Sequence, residues 1–143
     1  AFEGLEIKHY TQVFDELLAT GKLKLSKSVD KKIVYHDPCY LGRKNDIYEE
    51  PRNMLKRIPG VELVEMEKNR EHTYCCGGGG TGLIHEIENI RMNQTRVEHA
   101  KEQDADCIAV ACPICIQMLD DGVKSKNYKM EVKDIAQLLK EAL

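Results

Sequence analysis

Short β-type runs alternate with longer helical patterns along most of this chain. The clearest run is Cys107–Ala111, which is apolar throughout. A continuous apolar run is typical of a strand buried on both faces, and such strands belong to parallel sheets. Lys31–Tyr35 and Val61–Met66 are two earlier β-type runs. The alternation predicts an α/β layered domain with a mainly parallel sheet flanked by helices.

The other elements follow from apolar spacing and from residues that start or stop helices. Pro51 and Pro113 fit the first turn of a helix, and Asp134 fits an N-cap position. We expect helices over 5–20, 46–58, 83–103, 113–121 and 134–142, a last strand over 129–132 and a loop over 69–82.

The composition argues against several classes of protein. The chain has 143 residues and a net charge of −3, which provides no basic surface for nucleic acid or anionic lipid. No apolar run approaches the length of a membrane span, and no charged segment followed by an apolar one marks a secretory signal. We therefore expect no nucleic-acid partner and no transmembrane segment.

The six cysteines indicate metal or thiol chemistry rather than a disulfide scaffold. Cys75 and Cys76 are adjacent, and a disulfide between neighbours is strained. Cys112 and Cys115 form a C-x-x-C pair at a predicted helix start, where the helix N-terminus stabilises thiolates. Cys39 follows the first predicted strand. Because sites in parallel sheets collect at the carboxyl ends of strands, we expect these five cysteines to meet at one rim of the sheet.

The spacing of these cysteines suits a multi-iron cluster better than one zinc ion. Thirty-five residues separate Cys39 from Cys75, and thirty-five separate Cys76 from Cys112. The adjacent thiolates would strain the backbone to reach one tetrahedral ion, whereas a cluster offers separate irons. The glycine run that begins with Gly77 and Gly78 lets the backbone approach closely, with N–H groups available to cluster sulfur.

The pattern C-x35-C-C-G-x34-C-x-x-C resembles the CCG cysteine-rich domain family. That family occurs in the disulfide-reducing subunits of heterodisulfide reductase. It also occurs in iron–sulfur subunits of the glycolate oxidase type and in others associated with lactate, succinate/fumarate and acyl-CoA oxidation. Four local strings are similar to the family: His36–Arg43, Cys75–Gly80, Ala111–Cys115 and Val132–Leu139.

The resemblance implies an iron–sulfur cofactor, which in the best-understood members is a noncubane [4Fe–4S] cluster that reduces disulfides. It covers residues 31–143, which we expect to form the iron–sulfur domain, after an amino-terminal helix and connector over 1–30. Carried over by position, the metal ligands are Cys39, Cys75, Cys76, Cys112 and Cys115, and the cofactor-binding glycines are Gly77 and Gly78.

The family usually carries two CCG motifs in one chain, often after a ferredoxin-like segment, whereas this sequence has one motif. We therefore expect it to be the carboxyl-terminal CCG domain of an oxidoreductase, not active alone. Its partners would be the remainder of its own chain or a second CCG domain, and a ferredoxin-like or flavoprotein electron donor. Its expected location is the cytoplasm, or the membrane face through partner subunits.

Two other functions fit part of the sequence. A thioredoxin-type oxidoreductase would use Cys112 and Cys115 alone, although no proline follows Pro113 to supply a cis-proline loop. A structural zinc domain would use the same cysteines without redox chemistry. Of the other polar and thiol residues, we expect Cys107 to be a core residue. We expect His36 to be a loop histidine that bonds backbone, with proton donation beside the site as its alternative.

Overall fold

Four parallel strands form the centre of the fold. The computed structural model describes residues 4–79 and 91–143. The strands are β1 (Lys31–Tyr35), β2 (Val61–Val64), β3 (Cys107–Val110) and β4 (Glu131–Asp134). Their order across the sheet is β2-β1-β3-β4, and every neighbouring pair is parallel. The parallel α/β architecture expected from the sequence is confirmed.

Strand β3 is the most enclosed strand. It pairs with β1 on one side, where Ile33 lies opposite Cys107, and with β4 on the other, where Cys107 lies opposite Glu131. All four of its residues are buried, as its continuous apolar character predicted. The last strand begins at Glu131 rather than at 129.

Helices cover both faces of this sheet. In the described part of the chain they are α1 (Tyr10–Ala19), α2 (Gly42–Asn45), α3 (Glu49–Arg57), α4 (Met92–Lys101), α5 (Pro113–Ser125) and α6 (Ile135–Glu141), together with a 3-10 turn at Arg70–His72. Helices α1, α3 and α6 pack on one face, and α4 and α5 pack on the other. The chain steps in one direction from β1 to β2 and in the opposite direction from β2 to β3 and β4. Because parallel crossovers are right-handed, opposite steps place their helices on opposite faces.

Several helix boundaries differ from the expectations. Helix α1 starts at Tyr10, because the His9 side chain accepts a hydrogen bond from the Thr11 amide and caps the helix. The helix expected over 46–58 is α3, which begins only at Glu49. A short helix that was not expected, α2, precedes it and ends at Asn45, where Asp46 adopts a left-handed conformation with φ 56°. Helix α5 extends to Ser125. The first part of the helix expected over 83–103 lies outside the described residues, as does the end of the glycine run.

The sheet order creates a crevice between β1 and β3. The chain leaves β1 towards β2 and leaves β3 towards β4, so the two connections diverge at the carboxyl ends of the central strands. In open α/β sheets this divergence is where ligands bind. Cys39 follows β1 and Cys112 follows β3, so the crevice is bordered by two cysteines of the motif.

Candidate metal centre

The five motif cysteines converge at this crevice. Four of them line one small void of about 10 Å³, namely Cys39, Cys75, Cys76 and Cys115. Cys112 joins Cys39 and Cys115 in lining an adjoining cleft of about 430 Å³. The sulfur atoms of Cys76 and Cys115 lie within 4.8 Å of each other. The grouping of these cysteines at the sheet rim, expected from the sequence, is present in the structure.

Cys107 lies apart from this group. It is the first residue of β3, at the amino end of the strand, and it is fully buried in the hydrophobic cluster on the α1, α3 and α6 face. Burial raises the pKa of its thiol to about 12. It therefore packs as a small apolar side chain, as the sequence analysis expected.

The adjacent thiols of Cys75 and Cys76 favour their protonated state. Contact with Cys115 raises the pKa of Cys76 to about 11, and contact with Cys76 together with burial raises the pKa of Cys75 further above its usual range. Thiols packed against one another cannot all ionise, because thiolates repel. Metals bind the thiolate, so a metal that entered this site would displace protons.

Gly77 and Gly78 let the cysteine loop pack against α5. Gly77 has φ +93°, a conformation that residues with a Cβ rarely adopt, and its N–H donates to the Cys75 sulfur at 3.3 Å. A Cβ on Gly78 would lie 2.5 Å from Ile114 Cγ2. The two glycines therefore hold Cys75 and Cys76 close to the start of α5, where Cys112 occupies the N-cap and Cys115 is buried in the first turn.

A buried ion pair fixes the loop that carries Cys39. Arg52 of α3 is fully buried and donates to both carboxylate oxygens of Asp37, at 2.6 and 3.0 Å. It also donates to Glu65, at 2.6 and 2.9 Å. Burial alone would lower the pKa of Arg52, but its hydrogen bonds to Asp37 and Glu65 raise the pKa above its usual value. This guanidinium is fully paired and stays charged.

A second buried arginine joins the two cysteine loops. Arg96 of α4 is also fully buried. It donates to His36 Nδ1 at 3.2 Å, to Thr73 Oγ1 at 3.1 Å and to the Lys68 carbonyl at 2.8 Å. His36 belongs to the loop after β1, and Thr73 stands two residues before Cys75. One guanidinium thus connects the loops that carry Cys39 and Cys75.

His36 differs from the loop histidine that the sequence suggested. It is buried, and it accepts from the Arg96 side chain rather than bonding only to backbone. Burial, with Arg96 and Arg43 nearby, lowers its pKa to about 3, so it is neutral at pH 7. Its Nδ1 lone pair is used by Arg96, which leaves the proton on Nε2. One ring nitrogen lies within 4.8 Å of the Cys76 and Cys115 sulfur atoms.

Sequence reasoning missed Arg52 and Arg96, because arginine in a helix usually faces solvent. One signal was available for Arg96. Asn93, Arg96, Val97 and Ala100 follow the spacing of one helix face, and all four are buried. Arg43 of α2 donates to the backbone carbonyls of Glu71 and Thr73.

The larger cleft has an apolar mouth. Its opposite wall comes from the start of α1 and the residue before it, including His9 and Gln12. Tyr40 and Ile7 lie at its edge and are 77% and 82% exposed. The cleft therefore leads from an exposed apolar rim to the sulfur atoms of the motif.

The fold and the site define a parallel α/β domain with a cluster of thiols at its sheet crevice. The chain belongs to the family of the CCG cysteine-rich domain, whose model matches residues 33–120.

Several relatives are similar in sequence to nearly the whole chain. A probable iron-sulfur-binding oxidoreductase FadF of Bacillus subtilis is 44% identical over 99% of this chain and 20% of its own length. A subunit of the dihydromethanophenazine:CoB–CoM heterodisulfide reductase of Methanosarcina acetivorans is 40% identical over 96% of this chain and 34% of its own. An EtfAB:quinone oxidoreductase of Syntrophomonas wolfei is 38% identical over 96% and 21%. This chain thus spans a fifth to a third of these relatives. Within residues 4–79 and 91–143, no helix has the length and apolar character that crossing a membrane requires.

Proposed function

We propose that this chain is an iron–sulfur domain of a heterodisulfide-reductase-like oxidoreductase and that it transfers electrons. The observation that carries the proposal is the convergence of five cysteines from three separate segments of the chain at one crevice. The relatives named above, an iron–sulfur-binding oxidoreductase and a component of a heterodisulfide reductase among them, support the same class of function.

The proposed ligands are Cys39, Cys75, Cys76, Cys112 and Cys115, and the proposed group is a [4Fe–4S] cluster of the noncubane type. Thiols are the side chains that iron–sulfur clusters use, and five exceed the four that a zinc ion or a cubane cluster takes. The void between four of the thiols and the adjoining cleft of about 430 Å³ share Cys39 and Cys115 in their linings, so space for a group of several atoms adjoins the thiols. When bound, such a group supplies one-electron redox chemistry.

The other residues of the site would position this group. Gly77 and Gly78 are proposed to support it through their backbone, as the Gly77 N–H already supports the Cys75 sulfur. His36 has its Nδ1 lone pair committed to Arg96 and its proton on Nε2, so we propose that it donates a hydrogen bond to sulfur rather than binding metal.

The thioredoxin alternative is weaker in this geometry. A thioredoxin-type pair reacts as an isolated dithiol. Here the Cys115 sulfur lies within 4.8 Å of the sulfur of a third cysteine, Cys76. A zinc site remains the competing use of these thiols, and metal analysis separates it from an iron–sulfur site.

We propose that other domains or subunits supply the electron donor for this domain. No flavin or nicotinamide fingerprint is visible in the sequence, so we propose that electrons come from a ferredoxin-like or flavoprotein partner and that a second CCG domain completes the protein. Residues 31–143 are proposed as the iron–sulfur domain, with 1–30 as an amino-terminal helix and connector. We propose a location in the cytoplasm, or at the membrane face through partner subunits.

The test is anaerobic purification of the full-length protein, followed by visible absorption spectroscopy and iron, sulfide and zinc analysis. The proposal expects a coloured protein that carries iron and sulfide. A colourless protein with stoichiometric zinc would contradict it. Addition of a substrate thiol to the oxidised protein then tests disulfide reduction. If the protein reduces disulfides, the thiol should perturb its paramagnetic resonance spectrum. An unperturbed spectrum in a protein that still accepts electrons would leave electron relay alone.

A further inference from the structure

Arg96 and Arg52 are both fully buried, but they have different hydrogen-bond partners. Arg52 donates to two carboxylates, those of Asp37 and Glu65. The three acceptors of Arg96 are all neutral: an imidazole nitrogen, a backbone carbonyl and a threonine hydroxyl. Among the described residues, no carboxylate forms an ion pair with Arg96.

A buried charge without an opposite charge is costly, so buried cations are normally paired. The nearby carboxylates of Asp37 and Glu65 act on Arg96 only at a distance, because both bind Arg52 directly. They do not offset its burial, and the pKa of Arg96 falls to about 10. The fold thus holds a buried cation that has no carboxylate among its direct hydrogen-bond partners in the described residues.

The thiol cluster is next to this cation. Arg96 contacts His36, and a ring nitrogen of His36 lies within 4.8 Å of the Cys76 and Cys115 sulfur atoms. His36 and Thr73, both bound by Arg96, line the same small void as four of the thiols. Arg43 lines that void too, and its described acceptors are backbone carbonyls.

We propose that Arg96, assisted by Arg43, is the counter-charge of the metal–thiolate group and sets its reduction potential through the His36 ring. This inference rests on the proposed function and deepens it. When the cysteines bind metal they lose protons and become anionic, and the buried cation then has negative charge on the side of the thiols as well. A cation beside the group favours its more negative, reduced state, so Arg96 holds the potential higher than the thiolates alone would.

The experiment compares Arg96→Met with Arg96→Lys in the full-length, anaerobically prepared protein. Methionine removes the charge and lysine keeps it. We expect the midpoint potential of Arg96→Met to fall by about 59 mV or more, a tenfold change for a one-electron couple. We also expect faster iron loss to a chelator. Arg96→Lys should keep a potential close to that of the unmodified protein, although it loses the hydrogen bonds of the guanidinium fork.

Val97→Ala is the matched control, because Val97 is the next residue of α4 and is fully buried without charge. It should lower the melting temperature and leave the potential unchanged. If Arg96→Met does not fold, Arg43→Met at the exposed end of the network replaces it, with a smaller shift in the same direction expected. An unchanged potential in the charge-removing variant would overturn the inference. An unmodified protein without iron–sulfur absorption would instead overturn the proposed function itself.

Discussion

At the residue scale, the two most informative cysteines are both buried but have different surroundings. Cys107 packs among apolar side chains of the sheet, whereas Cys76 contacts the sulfur atoms of Cys75 and Cys115. We expect Cys107→Ser to lower the free energy of unfolding by about 1–3 kcal/mol, because its hydroxyl would be buried without a partner. We expect the metal content of that variant to be unchanged. Denaturant unfolding and metal analysis measure the two effects.

Cys76→Ser is the paired variant, and it should lose most of the bound iron. Serine has a similar size but lacks the thiolate that iron binds. Equal iron loss from Cys107→Ser and Cys76→Ser would show that the sixth cysteine also belongs to the site.

Gly77 has a backbone conformation that favours glycine over other residues. Its φ of +93° disfavours any side chain, and an added Cβ would lie 3.3 Å from the Asn93 amide nitrogen. We expect Gly77→Ala to cost about 1–2 kcal/mol of stability and to weaken metal retention, because the loop must shift. Gly21→Ala provides a control: Gly21 also has a positive φ, of +69°, but lies in open space away from the cysteines. It should cost stability without affecting metal.

At the scale of elements, the Asp37–Arg52 pair connects the loop after β1 to helix α3. Both side chains are at most 2% exposed. We expect Asp37→Asn to cost about 3 kcal/mol or more, because removing one member of a buried pair leaves the other poorly compensated. Asp15→Asn, which breaks the more exposed pair with Arg57, should cost about 0–1 kcal/mol. Chemical denaturation of both variants tests the difference, and equal losses would contradict the bracing role of Arg52.

Part of the arrangement of helices and strands was predictable from the sequence. The strands β1 and β3 and the N-cap at Asp134 were visible, because apolar runs and capping residues act through local chemistry. The short helix α2 and its end at Asp46 were not, since a single left-handed residue leaves little sequence signal. The burial of Arg52 and Arg96 depends on contacts between distant segments, which a local pattern does not contain. The thiols could be grouped only because parallel strands align their carboxyl ends.

At the scale of the whole molecule, the hydrophobic core and the thiol site should respond differently to metal removal. The four strands and their helices form two apolar clusters that contain most of the buried side chains. We therefore expect hydrogen exchange in the metal-free protein to speed up over 73–79 and at the start of α5, while β1 and β3 remain protected. Loss of protection throughout the sheet would mean that the domain folds only with its metal.

The central position of β3 also has a consequence for how the protein is made. β3 joins β1 to β4, yet it is translated after both β1 and β2. A nascent chain that ends before Cys107 has β1 and β2 but lacks β3, which forms one side of the crevice. Cys39, Cys75 and Cys76 then stand on a surface without the crevice, and Cys115 has not been synthesised. We therefore expect the complete set of five thiols to come together only after β3 and the start of α5 have joined the sheet.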